Sequence, residues 1–300
     1  MNAQNWALLL LLSVLWGGAY FFAGVAVKEL PPLTLALARV FLAALTLLPL
    51  FYYLGYSLPT SLTQWLPFLG MGVLNNVIPF TFIFAGQLHI TVGLSSIINA
   101  MTPLFTVLVM ASFKQEQLTA YRLIGVVLGV VGVAVLRGFG GPVDAGQTVG
   151  IALCLAAALS YGFAGLWGRK HLSSIPPVKT ATCQLMCSTL VMALLVAFVD
   201  KPWTLTTPSY TTIMAVLALA VFGTALAYIV FFRILTNAGA SNVMLVTLLI
   251  PVTALILGTV FLDESIQTTD ILGALIIGSG LLFIDGRVIN RLVSKGAKHS

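Results

Sequence analysis

Hydrophobic residues in this chain come in long, almost unbroken runs, not in the alternating pattern of a half-buried strand. Breaks of Gly, Pro and charge divide the runs into ten segments, at residues 5–27, 32–54, 64–86, 92–113, 119–137, 147–168, 178–199, 210–235, 241–262 and 269–289. At 1.5 Å of rise per residue, about twenty apolar residues in a helix span the roughly 30 Å hydrocarbon core of a bilayer. Backbone polar groups in lipid must pair within the structure, which leaves helices and closed barrels as the spanning folds. A barrel strand alternates apolar and polar residues over about ten positions, and these runs do not. The pattern predicts an all-α membrane protein with ten transmembrane helices, short connections and no separate soluble domain.

Composition points to the same solvent. Of 300 residues, 59% are hydrophobic and 7% charged, where a soluble domain carries about a quarter charged. Residues 1–5 lack the cationic start of a cleavable leader, so the first run reads as a retained span. The +6 net charge is an orientation signal, not a nucleic-acid surface. With a cytoplasmic N-terminus, the cytoplasmic side carries Lys114, Arg122, Arg169, Lys170, Lys179, Arg233, Arg287, Arg291, Lys295 and Lys298, and the other side only Lys28, Arg137 and Lys201. That bias obeys the positive-inside rule. It predicts a multi-pass protein of a bacterial inner membrane, both termini cytoplasmic, with residues 290–300 as a solvated tail. Cys154, Cys183 and Cys187 have no metal-ligand spacing and read as small apolar packers, so neither metal nor cofactor is expected.

The two halves echo one another. Pro103, Glu116, Gly125 and Gly132 recur as Pro251, Glu264, Gly273 and Gly280 with the same spacings of thirteen, nine and seven. Trp16-Gly17 and Pro31-Pro32 are matched by Tyr161-Gly162 and Pro176-Pro177 at another constant offset. With five spans in each, residues 1–140 and 141–289 are expected to lie upside down relative to one another, an arrangement that recurs in secondary transporters.

These residues resemble the EamA family of the drug/metabolite transporter superfamily: the early Trp16-Gly17, Pro32 followed seven later by Arg39, and the closing Pro…Glu…Gly…Gly pattern in both halves. Within it the chain is similar to exporters of aromatic amino acids of the YddG type. The resemblance implies ten helices around a central cavity with alternating access, built mainly by spans 1, 3, 4, 6, 8 and 9. Gln184 stands where the first half has Arg39, and Tyr161 where it has Trp16, so the halves are not equivalent.

Arg39 is the one charge well inside a predicted span. Burial of a cation in hydrocarbon costs a few kcal/mol or more, so Arg39 is expected to face protein or water. It is either a cavity cation for a substrate carboxylate or an anchor between helices, and the sequence leaves both open. Asn75 and Asn76 sit mid-span, where side-chain amides need partners. Pro79 frees the carbonyl of Asn75, four residues earlier. The matching stretch of span 8 sets Gly223, Thr224 and Tyr228 against Asn75, Asn76 and Phe80. Trp16, Tyr20, Phe80, Tyr161 and Tyr228 offer aromatic surface to a planar or apolar substrate group. Pro103 and Pro251 free the carbonyls of Asn99 and Thr247 and, with Pro79, are candidate hinges; Ser95 and Ser96 lie one turn further back. The expected substrate cavity thus comprises Trp16, Tyr20, Arg39, Asn75, Asn76, Phe80, Ser95, Asn99, Tyr161, Gln184, Thr224, Tyr228 and Thr247. Small residues in spans 5 and 10 (Gly125 and Gly129; Ala274 and Gly278) suit close packing within a monomer, with dimerisation as the alternative use.

No phosphate loop of the GxxxxGK[ST] kind occurs. All eight carboxylates fall at predicted helix ends or in loops, leaving no acid in mid-membrane to exchange protons against a cationic drug. The expectation is a facilitated, gradient-driven or weakly coupled carrier of neutral or zwitterionic amphiphiles, amino acids foremost, that acts on a small-molecule substrate from within the bilayer. A carrier of drugs or other metabolites is the alternative. A membrane-embedded enzyme would need paired acids, a His cluster or metal ligands at membrane depth, and a channel would lack saturable exchange. Pro103→Ala and Pro251→Ala are expected to slow transport without changing membrane insertion, as uptake rates and membrane yield would show.

Overall fold

The computed structural model describes residues 3–138 and 144–285. The division between the halves at 140/141 and the basic tail with Arg287, Arg291, Lys295 and Lys298 lie outside the described residues. Within them, regular structure is entirely helical. Seven helices are long and apolar enough to cross a membrane: α1 Ala3–Ala26, α2 Pro32–Tyr53, α3 Leu62–Gly86, α4 Val92–Ser112, α6 Ala145–His171, α7 Pro177–Phe198 and α8 Tyr210–Ala238. Three are shorter but equally apolar: α5 Ala120–Leu136, α9 Val246–Leu262 and α10 Thr268–Asp285. All ten expected segments are therefore helical, with ends displaced by a few residues.

Local chemistry sets the boundaries. Proline opens α2 and α7, where its fixed φ suits the first turn and its missing N–H costs nothing. Thr91, Thr119, Asp144 and Ser209 cap the starts of α4, α5, α6 and α8 by accepting from backbone N–H groups. Lys114 and Asp263 take the left-handed conformation just beyond α4 and α9, each at φ 56°.

Three helices are interrupted inside. Residues 73–77 of α3 and 221–226 of α8 form π turns, equivalent positions in the two halves. A π turn drops backbone bonds and commonly marks a functional site. Pro79 accounts for the first; its counterpart is Ala227, so the second arises without proline. α4 breaks at Ala100 and Met101, just before Pro103. The second half does not copy this break. Pro251 lies inside the unbroken α9, and the interruption sits earlier, at residues 244–245 after the short helix Ala240–Val243. The equivalence expected of the two proline joints is thus one of sequence, not of local shape.

Packing pairs helices across the halves. α1 lies along α9 and α4 along α6; α2 faces α7; α5 faces α10. Glycine sets the closest approach. A Cβ on Gly125 would stand 2.6 Å from the Gly280 carbonyl oxygen, and one on Gly280 would stand 2.6 Å from that of Gly125. Gly132 and Gly273 repeat this at 3.0 Å in both directions. The contact is reciprocal and uses the closing glycines of both repeats. It replaces the expected four-residue spacing: Gly129 packs on Met101 and Leu104 of α4, and the nearest neighbour of Gly278 is Leu248 at 3.8 Å. Both pairs of small residues therefore serve contacts within the chain. Gly280→Ala is expected to destabilise the folded protein by about 2 kcal/mol, the cost of overpacking against a backbone that cannot retreat. Gly278→Ala should stay within about 0.5 kcal/mol of the parent, measured by thermal unfolding in detergent.

Candidate functional site

At mid-height the helices enclose a polar layer, built on the two π turns. On one side, Arg39 of α2 reaches α8. Its Nε donates to Thr224 Oγ1 at 2.9 Å and its Nη2 lies 3.5 Å from the Gly223 carbonyl oxygen. Thr224 passes the bond on, donating to the Leu219 carbonyl at 3.1 Å. The guanidinium lies over the Phe80 ring, 3.7 Å from its centroid, a contact that stabilises a desolvated cation. Arg39 is 8% exposed, and among the described residues no carboxylate pairs with it. Tyr161, Tyr228 and Tyr20 act on it electrostatically.

On the other side, Asn75 Nδ2 donates to the Tyr228 hydroxyl at 3.2 Å, and that hydroxyl donates to Asn76 Oδ1 at 3.1 Å. Asn76 Nδ2 donates to Ser188 Oγ of α7 at 2.9 Å. The Ser188 hydroxyl sits 2.7 Å from the Gln184 carbonyl and 3.2 Å from the Gly72 carbonyl, and its single proton serves one of them. Ser160 of α6 donates to the Leu74 carbonyl at 2.7 Å. Side chains from other helices thus reach the Leu74 and Gly223 carbonyls within the π turns, as a buried backbone requires. The two sides correspond: α2 clasps α8 through Arg39, and α7 clasps α3 through Ser188, one turn from the Arg39 counterpart Gln184.

Of the expected site residues, Arg39, Asn75, Asn76, Phe80, Thr224 and Tyr228 meet in this layer. Gln184 is buried beside it with Oε1 unpartnered. Trp16 packs on Phe231 of α8, ring centroids 5.5 Å apart, and the Tyr20 carbonyl accepts from Gln87 at 3.2 Å. Three others have separate surroundings. Ser95 Oγ lies 3.4 Å from Cys154 Sγ, and Thr247 donates to the Met244 carbonyl at 2.7 Å, bracing the break before α9. The Asn99 carbonyl freed by Pro103 is taken by Thr102 Oγ1 at 2.8 Å, while Asn99 Oδ1 is buried without a partner. Ser160 and Ser188 were missed, because isolated serines in apolar runs give no signal until the π turns are known.

A second set of polar contacts lies at the end of the molecule where α1, α3, α7 and α9 finish. Glu264 accepts from the Val92 and Gly93 N–H groups at 2.7 and 3.3 Å. Asp200 accepts from the Thr34 N–H and hydroxyl at 2.9 and 2.7 Å. Glu29 accepts from the Ser209 N–H and hydroxyl at 2.7 and 2.8 Å, which holds its carboxyl below the usual range. At the opposite end Glu116 pairs with Arg122 at 2.9 Å and Arg169 at 3.3 Å. An open cleft of about 710 Å³ sits at the Glu264 end, lined by Lys28, Gln87, His89, Arg137, Glu264 and Asp270 among others. None of the expected substrate residues lines it.

A family model described as the EamA-like transporter family matches residues 4–138 and 148–285. A probable amino-acid metabolite efflux pump of Escherichia coli K12 is 28% identical, the match covering 94% of each chain. The uncharacterized transporter YoaV of Bacillus subtilis is 24% identical over 90% of this chain and 92% of its own. A solved crystal structure, 17% identical, superposes with a TM-score of 0.69 and covers 98% of this chain and 99% of that one, a likeness of fold. The family match spans nearly the whole chain, and the chain belongs to the EamA-like transporter family, as an integral membrane transporter of the drug/metabolite type.

Proposed function

We propose that this transporter carries small amphiphilic metabolites, amino acids foremost and aromatic ones favoured, out of the cell by alternating access. Ten spans in two inverted five-helix halves would provide the two-sided pathway. The observation that carries the substrate reading is Arg39: a buried guanidinium held by a hydroxyl, a carbonyl and an aromatic face, with no carboxylate partner among the described residues. A substrate carboxylate is the complement such a site lacks. Gln184 Oε1, a buried acceptor without a donor beside this layer, suits an ammonium group, and a buried acceptor left unpaired is costly. Phe80, Tyr161, Tyr228 and the Trp16–Phe231 pair supply rings against which a planar side chain stacks.

The inverted architecture draws support from the packing. α1 on α9 and α6 on α4 are exchanged by a twofold relation, as are α3 on α6 and α8 on α1, while α2–α7 and α5–α10 are their own partners. The two stretches of the family match divide near the boundary of the halves. With five helices in each half, this relation turns one half over. The relative named an amino-acid metabolite efflux pump agrees with the substrate class. The bias of basic residues supports a cytoplasmic location for both termini, and the small-residue faces are used internally, in keeping with a monomer.

Proteoliposomes loaded with unlabelled aromatic amino acid are expected to accelerate uptake of the labelled compound saturably. Absence of such counterflow for every amino acid in a panel would end the reading. Arg39→Gln should keep its folded yield and lose about 10- to 100-fold in uptake, the worth of a charge-assisted bond to substrate. Collapse of the folded yield in size-exclusion profiles would instead make Arg39 an anchor between α2 and α8.

A further inference from the structure

We propose that Glu29, Asp200 and Glu264 are gating residues of the transport cycle, which hold one end of the molecule shut by clasping helix starts of the opposite half. The proposal rests on the transporter reading only for what the gate admits. Each of the three carboxylates lies just beyond a helix end and reaches across the halves. Glu29, after α1, holds the start of α8; Asp200, after α7, holds the start of α2; Glu264, after α9, holds the start of α4. A carboxylate on the exposed N–H groups of a helix start gains both charge-assisted bonds and the helix dipole. None of these bonds lies within one half, so parting the halves at this end must break all three.

The turn that presents Glu264 is built for the purpose. Asp263 turns left-handed, the Glu264 N–H returns to the Gly258 carbonyl at 3.2 Å, and the carboxylate folds over Gly258, where a Cβ would collide with it. Apolar packing closes beneath it: Gly24 of α1 admits Val92, and Gly93 admits Leu255 of α9. The 710 Å³ cleft opens above this seal, with Val92, Leu94, Leu262 and Glu264 in its wall. It reads as a vestibule that stops at the clasp.

The opposite end is fastened differently. Glu116 occupies the position equivalent to Glu264, but its carboxylate is engaged by Arg122 and Arg169, which leave it partly exposed. Asp270 stands where the repeat would place Arg122, so Glu264 meets no competing cation there. The chain itself therefore favours closure at the Glu264 end, and an exposed ion pair is the weaker fastening.

Cys154 is a native reporter of this gate. It is 0% exposed, its sulfur touches Ser95 near the start of α4, and it packs against Gly86 at the end of α3. Cys183 and Cys187 lie in a separate cluster with Phe51, Phe68 and Leu172. In full-length protein carrying Cys183→Ala and Cys187→Ala, held in lipid nanodiscs, labelling of Cys154 by a charged maleimide is expected to be slow. Glu264→Gln should speed it about tenfold, the effect of losing a charged helix cap, and adding Glu29→Gln and Asp200→Asn should speed it further. Asp144→Asn removes a cap on the Gly146 N–H within α6, a bond that does not cross the halves, and should label as the parent does. Unchanged labelling in both clasp variants would overturn the proposal, as would equal acceleration by Asp144→Asn, which would signal general loosening. Monodisperse elution of each variant confirms that the rate reports on folded protein. The labelling uses no substrate, so a failure of counterflow would leave it standing.

Discussion

Hydrocarbon offers no hydrogen bonds, and the architecture follows from that lack. A helix satisfies its own backbone, but a proline, a π turn or a helix start leaves groups that something else must take. In this protein the takers are side chains of other helices. Ser160 answers the π turn of α3, Arg39 answers that of α8, and Glu264 answers the start of α4. Each irregularity is thereby converted into a tie between helices. The same lack favours irregularity at the protein-lined centre and at the wet ends.

The two halves solve the same problem with different residues. Arg39 and Gln184 occupy one position of the repeat, Pro79 and Ala227 another, Arg122 and Asp270 a third. In each case the backbone plan persists while the chemistry diverges. The π turns coincide although only one precedes a proline, so the distortion belongs to the packing of α8 against α1 and α2 as much as to local sequence. The polar layer is accordingly lopsided, with a cation on one side and neutral amides and hydroxyls on the other. A pocket between them would present distinct ends to a ligand, a basis for orienting a zwitterion.

Much of this was legible in the sequence, and the remainder was hidden for definite reasons. Apolar runs marked every helix, because span length and charge exclusion are local properties. Arg39, Asn75 and Asn76 stood out because a polar side chain in an apolar run demands an explanation. The π turn at Pro79 was half visible, since proline announces a freed carbonyl but not the form that the backbone takes. Partners were not visible. That Thr224 receives Arg39, or that Ser188 receives Asn76, depends on which faces of distant helices meet, and one chain carries no record of that. The carboxylates stand at helix ends, as the sequence indicates, but their partners were hidden for a related reason. At helix ends they look like solvated boundary markers, and their bonds to the other half appear only once the helix starts are brought beside them.

The reciprocal glycine contact between α5 and α10 has an implication for ancestry. Because Gly125 meets Gly280 and Gly132 meets Gly273, a single five-helix unit bearing the closing glycines already holds both surfaces of the joint. Two copies of such a unit, inserted in opposite senses, would recognise one another without further invention. Fusion of duplicated genes would then convert a homodimer into one polypeptide and release each copy to specialise, which is the divergence that Arg39 and Gln184 display.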